Sequence, residues 1–98
     1  MAFRLLFTED AVGHLQELEH DKGLAKRLAA VRKTMALLES NPRHPGLQTH
    51  KFVSLSGPSG EEVFEAHAEH RTPAAYRIFW YYGPRKGEIT VIAITPHP

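Results

Sequence analysis

The chain has 98 residues, of which 42% are hydrophobic and 23% charged, and its formal net charge is +1 at pH 7. This length supports one hydrophobic core, so we predict a single domain over residues 1–98. The absence of cysteine excludes a disulfide framework, a thiolate metal site and a cysteine nucleophile. No apolar run reaches the length that a bilayer requires, which favours a cytoplasmic protein with no membrane partner.

The first forty residues show the pattern of a strand followed by two helices. Phe3 to Phe7 is a short apolar run, and Thr8 can cap the helix that follows it. A turn at Gly23 ends this helix, and a second helix is expected from Leu24. Its apolar residues recur at steps of four, three, four and three, which predicts one packed stripe made of Leu24, Leu28, Val31, Met35 and Leu38.

The second half of the chain alternates between turn signals and runs of β-branched or aromatic residues. Pro42 stops the second helix, and residues 47–55 return toward a sheet. Residues 61–95 read as three strands, which are interrupted around Pro73 and again at residues 83–87. The order predicts an α+β fold, in which a small antiparallel sheet of four to five strands carries the helical hairpin on one face.

Strand alternation predicts a polar face on this sheet. With period two, Glu65, His67 and Glu69 point to one side of their strand, and the alternate residues point to the other. On the next strand, Arg77 and Tyr81 share a side. One face of the sheet is therefore a candidate for chemistry.

Four sequence phrases stand at defined places in this order of elements. N-P-R-H-P-G-L follows the second helix, V-F-E-A-H and Y-R-I-F-W lie on successive strands, and T-P-H-P ends the chain. Together they resemble the RelE/ParE toxin superfamily over nearly the whole chain. The resemblance implies a bacterial toxin whose partner is a cognate antitoxin. Most characterised members on the RelE side cleave messenger RNA on the ribosome, whereas the ParE side inhibits DNA gyrase.

The ribonuclease branch implies roles for particular residues. There the ribose 2'-OH attacks the neighbouring phosphate, which calls for a base, an acid and cations, without a metal or other cofactor. The strand arginine of the superfamily falls on Arg77, and the C-terminal histidine of YoeB-like members matches His97, with Pro98 where an aromatic residue is usual. Glu65 fits the E-x-R pattern of HigB-like relatives, and His67 stands where their arginine stands. The resemblance thus implies Arg77, His97, His67 and Glu65 as the catalytic set.

A second group of residues is expected to contact the substrate. It combines an aromatic ring that can stack on a base with cations that can meet phosphates, namely Tyr81, Arg85, Lys86, Lys51 and Arg43. For the cations, the alternative is an ordinary solvated surface.

Each catalytic candidate also has a purely structural interpretation. Arg77 can form a cross-strand ion pair with Glu65 or Glu69, and His67 can be a solvated histidine. His67 and His70 make a poor metal site, because residues three apart on a strand face opposite sides.

The low net charge leaves the function open between classes. Docking into ribosomal RNA draws much of its affinity from cationic contacts, and a balance of +1 supplies few of them. The second hypothesis is therefore a ParE-like or orphan member that binds a protein partner, gyrase or antitoxin, and has no nuclease activity. A divergent relative without a toxin role is the third.

Overall fold

The computed structural model describes residues 2–96 and has the predicted α+β order. The strands are β1 (Arg4–Phe7), β2 (His50–Ser56), β3 (Glu62–His67), β4 (Tyr76–Tyr82) and β5 (Glu88–Pro96). The helices are α1 (Glu9–His20) and α2 (Ala25–Ser40), and short 3-10 turns cover Lys22–Leu24 and Pro45–Leu47. Among the described residues, no helix combines the length and the apolar character needed to span a bilayer.

The five strands form one mixed sheet in the order β1-β5-β4-β3-β2. The pairs β2–β3, β3–β4 and β4–β5 are antiparallel, as expected for consecutive strands. The pair β1 and β5 is parallel, with Arg4 opposite Glu88 and Phe7 opposite Val91. The expected sheet thus gains one parallel pair, because the helical hairpin and three strands separate β1 from β5 in the chain and no tight turn fixes its direction.

The helices begin and pack as their sequences predict. The Oγ1 of Thr8 accepts the Ala11 N–H at 3.2 Å, and its hydroxyl donates to the Ile92 carbonyl at 3.1 Å, so the start of α1 is tied to β5. In α2, Val31 and Leu38 are fully buried and Leu28 and Met35 pack against the core, as does Leu24 in the 3-10 turn just before the helix. The stripe is confirmed as the core face of α2.

The hydrophobic core lies between the helical hairpin and one face of the sheet. Its fully buried large side chains include Trp80, Leu18, Leu38, Leu47, Ile78, Ile89 and Ile94. Burial of each such side chain stabilises the fold by about 1.5–3 kcal/mol. The opposite face, here called the open face, carries His50, Phe52, Glu65, His67, Arg77 and Phe79.

The polar face is shorter than strand alternation predicts. Strand β3 ends at His67, and the N–H groups of Ala68 and Glu69 both approach the Tyr76 carbonyl, at 3.0 and 3.4 Å. The Glu69 carboxylate then meets Arg27 of α2 at 3.3 Å. The prediction that Glu69 continues the polar face is therefore wrong, because alternation holds only within a regular ladder.

Candidate active site on the open face

The register of β3 and β4 brings three predicted catalytic residues together. His67 lies directly opposite Arg77, and Glu65 lies two residues back on the same face. The Nη1 of Arg77 is 3.3 Å from His67 Nε2 and 3.5 Å from Glu65 Oε2. Glu65, His67 and Arg77, here called the arginine site, thus share one guanidinium as their centre.

The contact with Arg77 determines which nitrogen of the His67 ring carries a proton. A guanidinium only donates hydrogen bonds, so His67 Nε2 must present its lone pair and the neutral ring carries its proton on Nδ1. Burial lowers the pKa of His67 below its usual value, and the nearby Arg77 charge lowers this pKa further, while Glu65 opposes both. At neutral pH, His67 is therefore an uncharged base.

The Arg77 guanidinium is held in place but incompletely satisfied. The side chains of Arg77 and Glu65 are only 16% and 15% exposed, so their ion pair is largely shielded from water. Within residues 2–96, the buried Nε of Arg77 has no hydrogen-bond partner. An unpaired donor in such a position is costly, and a ligand oxygen would satisfy it once the Arg77 side chain turns and exposes this nitrogen.

Two further histidines flank the arginine site. The ring of His50, opposite Glu65 in β2, is 5.5 Å from the ring of His67 between centroids. On the other side, His70 stacks on His67 at 5.7 Å with 26° between the ring planes. The prediction that His67 and His70 face opposite sides is wrong, since β3 ends at His67 and the chain turns there. No group of three or more potential metal ligands occurs among residues 2–96.

Arg27 fixes the connection between β3 and β4 against α2. Besides its ion pair with Glu69, it donates to the carbonyls of Ala74 at 2.8 Å and Pro73 at 3.3 Å, and its guanidinium lies 5.5 Å from the centre of the Tyr76 ring. The predicted solvated face of α2 therefore contains one structural arginine. The sequence signal for this role is weak, because the partners lie more than forty positions away.

The remaining predicted residues are spread over the molecule. Tyr81 lies on the Arg77 side of β4, but it is 6% exposed, which leaves little ring surface for stacking on a base. Lys51 points to the opposite side of the sheet, since it lies opposite Phe64 in the register, and it pairs with Glu62 at 3.2 Å.

The other predicted contacts lie away from the arginine site or beyond the described residues. Arg85 and Lys86 are exposed in the turn between β4 and β5, and Arg43 is exposed after α2. His97 falls outside the described residues. The last described residue, Pro96, pairs with Tyr76, next to Arg77 in β4.

Comparison with known proteins identifies the fold. No protein-family model matches the sequence, and a search of curated proteins gives no match. The YoeB/ParE toxin from Agrobacterium tumefaciens superposes with a TM-score of 0.71 at 12% identity, over 97% of this chain and 99% of the toxin. RelE in the archaeal RelE-RelB complex from Pyrococcus horikoshii OT3 gives a TM-score of 0.65 at 18% identity, over 98% and 96% of the two chains.

A third structure extends the same likeness. The E. coli RelBE toxin-antitoxin complex matches with a TM-score of 0.58 at 20% identity, over 99% of both chains. The molecule is thus a small α+β protein with a polar sheet face that centres on an arginine. Its fold is the one seen in these RelE and YoeB/ParE toxin structures, as the sequence resemblance predicts.

Proposed function

We propose that this protein is the toxin of a bacterial toxin-antitoxin pair and acts as a metal-independent endoribonuclease on ribosome-bound messenger RNA. The observation that carries the proposal is the arginine site. There the Arg77 Nη1 lies 3.3 Å from a neutral imidazole and 3.5 Å from a carboxylate, and the Nε of the same guanidinium has no partner among the described residues. Attack of an internal 2'-OH on the neighbouring phosphorus needs these groups, since it requires proton transfer and stabilisation of phosphate charge. The fold shared with RelE and YoeB structures supports the toxin role.

In the proposed reaction, Arg77 binds the scissile phosphate. The guanidinium can hold two phosphate oxygens, and its Nε–H gains the acceptor that it lacks. As Arg77 turns toward the phosphate, His67 Nε2 loses its donor and its lone pair becomes free. That lone pair takes the proton of the 2'-OH, while Glu65 stabilises both the imidazolium that forms and the orientation of Arg77.

The bond changes in this scheme balance without a co-reactant. The 2'-oxygen forms a bond to phosphorus, the bond from phosphorus to the 5'-oxygen breaks, and the leaving oxygen takes a proton. The products are a 2',3'-cyclic phosphate and a 5'-hydroxyl end. His97 is assigned as the acid that supplies this last proton, which rests on the family resemblance alone. Glu65 is the alternative base.

The proposal is tested in a reconstituted translation reaction, with messenger RNA ends mapped by primer extension. Wild type should produce new ends in the ribosomal A site, and Arg77→Ala should lower the cleavage rate by about 10²- to 10³-fold, as loss of a transition-state donor does. Arg32→Ala is the matched control, because this arginine lies exposed on α2. Circular dichroism must show that each variant is folded. Intact message with wild-type protein, or full activity in folded Arg77→Ala, would refute the nuclease assignment.

The net charge of +1 favours one alternative, a toxin or orphan member that binds a protein partner, gyrase or antitoxin, without nuclease activity. In this case Arg77 and Glu65 serve only as a structural ion pair. Salt separates the two functions, because RNA docking weakens steeply with ionic strength and a largely apolar protein interface does not. Ribosome pelleting at about 50 and 200 mM salt should therefore show a large loss of bound protein if the nuclease proposal is correct.

A further inference from the structure

A cavity of about 530 Å³ opens beside the arginine site, between α2 and the end of β3. We call it the α2 cavity. Ala30, Leu37 and Ala68 give it apolar walls, and Lys33 and His44 give it polar ones. Its volume falls in the range of about 300–1,000 Å³ that is typical of small-ligand sites.

The stacked pair of His67 and His70 is shared between this cavity and the surroundings of the arginine site. Both histidines line the α2 cavity, and both also line a neighbouring cavity of about 410 Å³ that contains Arg77 and Arg71. His70 is exposed, and His67 is in contact with the guanidinium at 3.3 Å. A ligand held by Arg77 is therefore next to side chains that also line the α2 cavity.

The α2 cavity offers one hydrogen-bond donor and one cation. The His44 Nδ1 accepts the Gly46 N–H at 2.9 Å, so its other ring nitrogen carries the proton and can donate. The Thr34 hydroxyl already donates to the Ala30 carbonyl at 2.8 Å. Among the described residues, no carboxylate lines this cavity, and Lys33 adds a positive charge. The charge suits a segment of a polyanion.

From this geometry we infer that the α2 cavity is a nucleobase subsite, which receives the base of a nucleotide that adjoins the phosphate held by Arg77. Single-stranded RNA is recognised by stacking of splayed bases on aromatic side chains, including histidine. A flat imidazole face, apolar walls and hydrogen-bond donors at the rim meet these needs. The inference deepens the proposed function and rests on it, since it presumes that Arg77 binds an RNA phosphate.

The subsite is tested by NMR titration of the full chain with three short probes. One is a dinucleotide whose first sugar lacks the 2'-OH, so that it cannot be cleaved. The other two are the same molecule with its first or its second base replaced by hydrogen. The probe with both bases should shift the His70 ring signals. One of the two abasic probes should bind more weakly and leave these signals unshifted. Signals near Arg77 should move with all three probes.

Two variants sharpen this test. His70→Ala should weaken the base-bearing probe by roughly 5- to 150-fold, which is the range for loss of one base-aromatic stack. Ala30→Leu fills the cavity and should weaken binding of the base-bearing probe. Binding of the abasic probe that lacks the base for this cavity should stay unchanged. His20→Ala is the control, because this exposed histidine at the end of α1 lies outside the cavity. The backbone amide spectrum reports whether each variant is folded.

The outcomes separate the subsite from the proposed nuclease. If the three probes bind equally well and His70→Ala changes nothing, the subsite is refuted, while the phosphate role of Arg77 stands. If the base-bearing probe binds through His70 but no message is cut on the ribosome, the nuclease proposal fails and the subsite stands. If no probe shifts the signals near Arg77, the phosphate site and the subsite are both refuted.

Discussion

The ion pair between Glu65 and Arg77 should contribute more to stability than any exposed pair in the molecule, and Glu65→Gln tests this directly. The charged atoms are 3.5 Å apart, which corresponds to about 5 kcal/mol of attraction at an effective dielectric constant of about 20. Desolvation of both groups offsets much of this attraction. Loss of the carboxylate, however, leaves the Arg77 charge largely buried without its partner.

The expected loss lies between two known limits. Removal of one partner from a fully buried pair costs about 3–5 kcal/mol, whereas an exposed pair contributes about 0.2–1 kcal/mol. With side chains 15–16% exposed, we expect Glu65→Gln to lower the free energy of unfolding by about 2–3 kcal/mol. The double variant with Arg77→Met should cost less than the sum of the two single changes, because it leaves no charge uncompensated.

Urea denaturation measures these values, and Glu19→Gln supplies the control. Glu19 pairs with Arg32 at 3.3 Å, a shorter distance, but these side chains are 40% and 60% exposed. We expect this control to cost less than about 1 kcal/mol. Equal losses for Glu65→Gln and Glu19→Gln, or strict additivity in the double variant, would show that burial does not strengthen the pair at the arginine site.

Two further predictions concern histidines. Because the pKa of His67 is lowered in the folded state, the unfolded chain takes up its proton first as the pH falls below about 6.5, so stability should drop there. His67→Gln should show a shallower loss between pH 7.5 and 5 in urea titrations, and an equal slope would contradict the assignment of a neutral ring. His14 Nδ1 accepts the Ile94 N–H at 3.2 Å, and His14→Ala should cost about 1–3 kcal/mol through this unsatisfied group, against a smaller effect for exposed His20→Ala.

Local patterns predicted most of the fold. The stripe of α2, the Thr8 cap and the strands of the second half follow from spacing and turn chemistry within a few residues. The parallel pairing of β1 with β5 joins residues more than eighty positions apart, and no turn motif predicts it. Such pairings depend on how the helices cover the sheet, which the one-dimensional pattern does not encode.

For the candidate site, alternation was informative up to the end of β3 and misleading beyond it. It placed Glu65 and His67 on one side of their strand, the family resemblance added Arg77, and the register brings the three together. It failed at Glu69 and His70, because the double approach of two N–H groups to one carbonyl ends the regular ladder. The resulting turn stacks the rings of His67 and His70, an arrangement that strand alternation does not predict.

The sequence did not predict that His50 lies beside the arginine site, since no local pattern distinguishes a functional histidine on an edge strand from any other. His50 enters the site only because β2 pairs with β3 in a register that sets it opposite Glu65. Registers across an edge are weakly specified by composition, and an irregularity interrupts this one after Lys51.

The net charge of +1 understates the cationic character of the proposed RNA surface. The two nearby carboxylates are each paired with an arginine, since Glu65 pairs with Arg77 and Glu69, which lines the same cavity as Arg77, pairs with Arg27. The two cavities that share His67 and His70 are lined by Arg77, Arg71 and Lys33 and by one carboxylate, Glu69, which Arg27 neutralises, so the local balance of charge is positive. Affinity for RNA depends on such local contacts rather than on the sum over the chain. The low net charge is therefore compatible with the nuclease proposal, provided that binding draws on these groups and weakens steeply with salt.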